Sequence, residues 1–114
     1  MTSKNRILTN KHFLKYLSHC GSKQRKSLVN SASTDELDSI CEIIYNIYQR
    51  NIPISPLLVQ KLKKFRRAIE RIGTKPRQGN TIRRRILNQR GGAILPLLLS
   101  AAIPSLISLF KKDT

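Results

Sequence analysis

The chain has 114 residues, which is room for one small domain plus tails, and a domain of that size has a modest core and marginal stability. It carries 22 lysine and arginine residues against 6 acids, a formal net charge of +16. Because self-repulsion at this charge opposes compaction, we expect a polyanionic partner, with nucleic acid the first candidate and an anionic membrane surface the second. Aromatic residues are few and tryptophan is absent, so base stacking is not expected to be a leading mechanism.

No catalytic or metal site can be assembled from the sequence. Cys20 and Cys41 have neither metal-ligand nor redox spacing and are expected to be reduced, buried small hydrophobes. His12 and His19 lie seven residues apart on one helix face, without an acidic partner at metal-ligand spacing. No Ser/His/Asp set, paired-carboxylate site or phosphate-binding glycine loop is found. We therefore predict a non-enzymatic protein with no cofactor and no metal.

Helix signals recur along the chain and strand signals are nearly absent, so the sequence predicts an all-α fold. A first helix is expected within residues 9–21 and a second, shorter one within residues 22–31, with Ser22 as its N-cap. Ser33 followed by Glu36 forms a capping box at the start of a third helix. Apolar residues then recur at helical spacing on one wide face, which predicts the centre of the core: Leu37, Ile40, Cys41, Ile43, Ile44, Ile47 and Tyr48.

A fourth helix is expected to begin with Ser55 as N-cap and Pro56 in its first turn, and to end at Gly73. Its buried stripe is Leu58, Leu62, Phe65, Ile69 and Ile72. Its other faces are basic, so this one helix would both close the core and present a cationic surface. The alternative is an ordinary solvated, charged face.

A fifth helix is expected within residues 81–89, after a linker over residues 74–80. Ile82, Ile86 and Leu87 would dock it weakly, while three consecutive arginines fan around its axis. Such a basic stretch neutralises phosphates without reading bases, which predicts sequence-nonspecific binding to double-stranded DNA. The predicted contacts are Lys61, Lys63, Lys64, Arg66, Arg67, Arg71, Lys75, Arg77, Arg83, Arg84, Arg85 and Arg90. The arginine-rich segment also fits a nuclear-import signal.

Residues 93–110 form an uncharged, apolar tail that directly follows a Gly-Gly pair. Pro96 and Pro104 interrupt it, which favours a short broken helix. The sequence leaves three interpretations open: a membrane-active segment, an apolar helix packed on its own domain or in an oligomer, and a single membrane span.

The predicted organisation is therefore a small all-α bundle of four or five helices followed by a basic arm and an apolar C-terminal tail. Residues 1–8 are expected to be disordered and residues 9–73 to form the helical domain. Residues 74–92 are expected to form the basic linker and helix, and residues 93–114 the apolar tail.

The junction between arm and tail resembles the end of the adenovirus precursor of core peptide mu (precore protein X). That precursor also runs from an arginine-rich segment through Gly-Gly into an Ile-Leu-Pro-Leu-Leu tail, which here is matched by residues 83–110. Nearly the whole chain is similar to the small basic proteins of Polinton/Maverick elements and adintoviruses, through residues 13–17, 23–28 and 52–55. The resemblance implies a virion protein that condenses double-stranded DNA, found in the virion and the host nucleus.

The resemblance also implies processing by an adenovirus-type cysteine protease, which cuts after Gly-Gly when a residue such as Gln lies two places before the pair. The matching residues are Gln89, Arg90, Gly91, Gly92 and Ala93, with the cut between Gly92 and Ala93. Glycines can lie extended in a narrow protease groove, although the same pair could simply cap the basic helix. Two other functions stay open: a membrane-active or membrane-attached protein acting through the tail, and an assembly adaptor whose tail docks on a capsid protein.

Overall fold

The computed structural model describes residues 7–49, 54–74, 79–88, 95–99 and 102, and this part of the chain contains helices and short connections but no strand. This confirms the predicted all-α fold class. Six α-helices and one 3-10 turn are delimited here: α1 (Lys11–His19), α2 (Ser22–Ser31), α3 (Thr34–Tyr48), α4 (Pro56–Leu62), the 3-10 turn (Lys63–Phe65), α5 (Arg66–Thr74) and α6 (Asn80–Leu87). Residues 7–9 and 95–99 are also helical.

Helix α3 lies at the centre of the core, as predicted. Its capping box is formed, because Ser33 Oγ accepts from the Glu36 amide at 3.1 Å and the Ser33 amide donates to Glu36 Oε1 at 2.9 Å. The carboxylates in its first turn also complement the helix dipole. Its buried apolar side chains are Leu37, Ile40, Ile43, Ile44 and Ile47. Two members of the predicted face differ: Cys41 is only partly buried and Tyr48 is exposed.

The substitution Ser33→Ala is expected to lower the free energy of unfolding by about 1 kcal/mol, because the α3 capping box loses its side-chain acceptor. Urea denaturation followed by circular dichroism measures this. Ser22→Ala is the control: the N-cap of α2 is Gly21, with no side-chain cap hydrogen bond, so Ser22 is not the cap that the sequence predicted. Equal effects of the two substitutions would show that the capping box does not stabilise the domain.

The predicted fourth helix begins as expected but is interrupted in its middle. Ser55 Oγ accepts from the Leu58 amide at 3.2 Å, with Pro56 at the first helical position. The 3-10 turn Lys63–Phe65 then separates α4 from α5, which ends at Thr74. The buried side chains of this segment are Leu62, Phe65, Ala68 and Ile69. Contact between α5 and α3 is the most extensive between helices in the described part of the chain.

The hydrophobic core extends beyond the boundaries that the sequence predicted. Ile86 and Leu87 of α6 are buried in the same core as α3, although this helix was expected to dock weakly as part of an arm. Ile7 is also buried there, within the predicted disordered segment. The tail contributes Leu95, Leu98, Leu99 and Ala102 to this core. The described tail residues thus pack on their own domain, where their apolar side chains are removed from water.

Within the described ranges, no helix is both long and apolar enough to cross a membrane.

Candidate nucleic-acid interface

The basic residues of α4, the 3-10 turn and α5 fall into two rows. In a 3-10 turn the side chains at i and i+3 eclipse each other, and on an α-helix residues three or four apart are neighbours. One row, which we call the outer basic row, follows this spacing with four exposed side chains: Lys61, Lys64, Arg67 and Arg71. Cations of α4, the turn and α5 therefore share one side of the segment.

The second row, which we call the cavity row, contains Lys63, Arg66 and Glu70 and borders an open cavity of about 740 Å³. Arg66 Nε donates to Glu70 Oε1 at 3.0 Å, although the Arg66 side chain stays 80% exposed. An ion pair this exposed contributes at most about 1 kcal/mol. It therefore leaves the guanidinium accessible to other anions, and the row keeps a net positive charge.

The core side of the same segment holds the basic rows in place. Phe65 is buried on that side, and Lys64 Nζ lies 5.3 Å from the centroid of its ring, which is within cation–π distance. Ala68 and Ile69 are buried in the next turn, in α5. The cations of both rows therefore lie on a helical segment that is anchored along its opposite face.

Arg83 is buried, which differs from the predicted phosphate contact. Only 7% of the residue is exposed, and its Nη1 donates to Asp38 Oδ1 on α3 at 2.5 Å. A guanidinium taken from water needs an opposite charge and hydrogen-bond acceptors, and Asp38 supplies them here. Arg83 therefore joins α6 to α3 and is not part of the exposed basic surface.

Arg84 also makes contacts inside the domain. Its Nη2 donates to the carbonyl oxygen of Ala32 at 2.8 Å, and its Nε donates to the carbonyl oxygen of Val29 at 3.3 Å. These carbonyls lie at the C-terminus of α2, where a helix leaves acceptors without intrahelical partners and carries partial negative charge. Arg84 thus caps α2. The third arginine, Arg85, is exposed as predicted.

Two amide side chains complete the attachment of α6. Asn80 Nδ2 donates to Thr34 Oγ1 at 2.8 Å at the start of the helix. Asn88 Nδ2 donates to Asn30 Oδ1 at 2.8 Å just beyond its end. Because both ends and the middle of α6 are bonded to α2 and α3, this helix is a structural element of the domain.

The other predicted site residues fall outside the described part of the chain. These are the predicted phosphate contacts Lys75, Arg77 and Arg90, and the predicted cleavage residues Gln89, Gly91, Gly92 and Ala93. They stay predictions from the sequence.

Basic residues that the sequence interpretation did not include lie on other helices. Lys15 of α1 and Lys23 and Lys26 of α2 are exposed. Their signal in the sequence is the same as that of the outer basic row, namely cations at helix positions that the apolar face does not use. They provide a matched set for testing where a polyanion binds.

The described residues contain no group of three or more histidine, cysteine or acidic side chains arranged to hold a metal ion. Cys20 and Cys41 are not joined by a disulfide and are partly buried, so they are less enclosed than predicted.

Comparison of the chain with protein-family models, with curated proteins and with solved structures found no match.

Proposed function

We propose that this chain is a non-enzymatic, sequence-nonspecific DNA-binding protein that condenses DNA in the core of a virus or virus-like transposon. The observation that carries the proposal is the outer basic row, four exposed cations on a helical segment anchored to the core. The cavity row and exposed Arg85 add further positive charge. With a formal net charge of +16, attraction to a polyanion acts over the whole molecule.

The chemistry of the outer basic row supports binding without sequence preference. Lysine and arginine side chains contact phosphates through charge, and such contacts position a protein on DNA without reading its sequence. Base readout uses side chains placed against groove edges, with bidentate arginine, asparagine or glutamine contacts. Of these residue types the row contains only arginine, which also contacts phosphates.

The virion assignment rests on the resemblance of the chain to core peptide mu precursors and to the small basic proteins of Polinton/Maverick elements. In that setting a cysteine protease of adenovirus type cleaves after Gly92, and the protein acts in the virion and the host nucleus.

Action on membranes through the apolar tail is the competing function, and it draws less support from the structure. The membrane interpretation needs apolar side chains that can enter lipid. Leu95, Leu98 and Leu99 lie in the protein core instead. Insertion would therefore first have to remove them from that core.

Replacing Lys61, Lys64 and Arg67 by glutamine is expected to weaken binding to an unrelated duplex at least about tenfold at low salt, because three phosphate contacts are lost. The plot of log affinity against log salt should become less steep by about 2 to 3 units. Fluorescence anisotropy with two duplexes of different sequence measures both quantities and should give similar affinities for the two.

The matched control replaces Lys15, Lys23 and Lys26 by glutamine, which lowers the formal net charge of +16 by the same three units. Its effect is expected to be smaller, because these residues lie on α1 and α2. Equal losses in both variants would show that net charge and not the outer basic row governs binding. A strong preference of the wild-type protein for one duplex, or no binding at low salt, would contradict the proposed function.

A further inference from the structure

The cavity beside the basic surface combines an apolar interior with a cationic rim. It lies where the end of α3 meets α4, the 3-10 turn and α5. Tyr48, Val59, Leu62 and Ile69 supply its apolar and aromatic wall. The cavity row supplies the charged rim. A site of this composition fits a ligand that is flat and apolar at one end and anionic at the other.

Tyr48 is the distinctive wall residue. Its spacing in the sequence places it on the predicted core face of α3. In the structure it lines the cavity and is 38% exposed. An aromatic ring that is held by its own helix and open on one side can stack with a planar ligand at little cost in conformational entropy. The ring is thus presented to the cavity and not used to fill the core.

The rim can hold a phosphate next to such a ligand. Lys63 is exposed, and Arg66 donates to Glu70 through its Nε, so the terminal amino groups of that guanidinium remain for phosphate oxygens. Lys63 is also the chain neighbour of Lys64 in the outer basic row. The cavity and the outer basic row therefore belong to the same short helical segment.

We propose that this cavity takes one unstacked base of a single-stranded nucleic acid, which stacks on Tyr48 while the adjoining phosphates bind Lys63 and Arg66. This proposal rests on the proposed function, and it adds single-stranded nucleic acid to the partners of the same segment. Base-on-aromatic stacking beside a cationic groove is sequence-tolerant, which agrees with binding that does not read bases. A paired duplex keeps its bases stacked, so the cavity contributes to binding of single strands and duplex ends.

The first experiment uses tyrosine fluorescence, which is accessible because the chain contains no tryptophan and three tyrosines. A Tyr16→Phe, Tyr45→Phe double variant leaves Tyr48 as the single tyrosine and leaves the cavity intact. Titration with a twelve-nucleotide thymidine oligonucleotide is expected to quench its emission. An abasic oligonucleotide with the same number of phosphates is expected to bind with little quenching.

The second experiment compares affinities for the same two oligonucleotides. Tyr48→Leu keeps apolar bulk in the cavity and is expected to weaken binding of the thymidine oligonucleotide about fivefold or more. Its affinity for the abasic oligonucleotide should not change, since the phosphate contacts remain. Tyr16→Leu is the control, because this residue of α1 is 54% exposed and does not line the cavity.

The outcomes separate this proposal from the proposed function. Equal affinity for both oligonucleotides together with unquenched Tyr48 emission overturns the base site, even if duplex binding and its salt dependence are as expected. Quenching by an acidic amphipathic peptide but not by the thymidine oligonucleotide also overturns it, and assigns the cavity to a protein partner. If the wild-type protein binds neither oligonucleotide, the proposed function itself is overturned.

Discussion

Truncation after Gly92 is expected to destabilise the domain strongly, because, unlike a cut that leaves the tail in place, it removes side chains that lie in the core. Leu95, Leu98 and Leu99 are at most 1% exposed. Burial of a leucine side chain stabilises a fold by about 1.5 to 3 kcal/mol, and the whole free energy of unfolding of a small domain is about 5 to 15 kcal/mol. Urea denaturation of the truncated and full-length chains, followed by circular dichroism, measures the difference.

Two substitutions in the full-length chain test the same contribution without removing the tail. Leu98→Ala is expected to lower the free energy of unfolding by about 2 to 5 kcal/mol, through lost burial and the cavity that remains. Leu57→Ala is the control, because Leu57 is 66% exposed and its truncation changes little buried surface. An unchanged urea midpoint for the truncated chain would contradict the contribution of the tail to the core.

The second large effect is expected from Arg83→Ala, which removes the cationic partner of Asp38 in a mostly buried ion pair. Removal of one member of such a pair costs about 3 kcal/mol or more. For a domain of roughly this size, each kcal/mol lowers the melting temperature by about 4 to 8 °C, so a decrease above about 10 °C is expected. Differential scanning calorimetry measures it.

The neighbouring arginine provides the control for this prediction. Arg85→Ala removes the same charge from an exposed position of α6 and is expected to change the free energy of unfolding by less than about 0.5 kcal/mol. A double-mutant cycle of Arg83→Ala with Asp38→Ala should show coupling between the two sites. Equal effects of Arg83→Ala and Arg85→Ala would mean that the ion pair does not hold α6 in place.

Helix α3 was predictable from the sequence because its signals are local. The capping box needs only Ser33 and Glu36 at their spacing, and one continuous apolar face follows at helical period. The start of α4 at Ser55 and Pro56 was predictable for the same reason. In both cases the side chains that determine the structure lie within a few residues of the backbone that they fix.

The 3-10 turn was not predictable from spacing. The apolar residues Leu62, Phe65 and Ile69 are three and four positions apart, and this pattern fits a continuous α-helix as well as a helix interrupted at Lys63–Phe65. Packing of α5 against α3 is the tertiary contact that accompanies the interruption. The outer basic row and the cavity row follow spacings of three and four residues that an uninterrupted α-helix would also bring together, but the cavity beside the second row required the structure.

The roles of Arg83 and Arg84 were beyond sequence reasoning because buried and exposed arginines look alike in an arginine run. The acceptors of their hydrogen bonds are a carboxylate on α3 and backbone carbonyls at the end of α2. Asp38 lies near the start of α3, where the helix dipole would account for an acidic residue without any partner. The environment of the tail could not be predicted either, because a segment that is covered by lipid and one that is covered by protein have the same apolar composition.

The cap that Arg84 places on α2 has a consequence for how the protein is made. Its two carbonyl acceptors precede it by 52 and 55 residues. At about 5 to 20 residues per second, a ribosome needs roughly 3 to 10 s to add the intervening chain. During that interval α2 has no such cap, and the core lacks both α6 and the tail leucines. We therefore expect the core to be completed only after residue 99 has been translated. Chaperones would then encounter the nascent chain in an incompletely folded form.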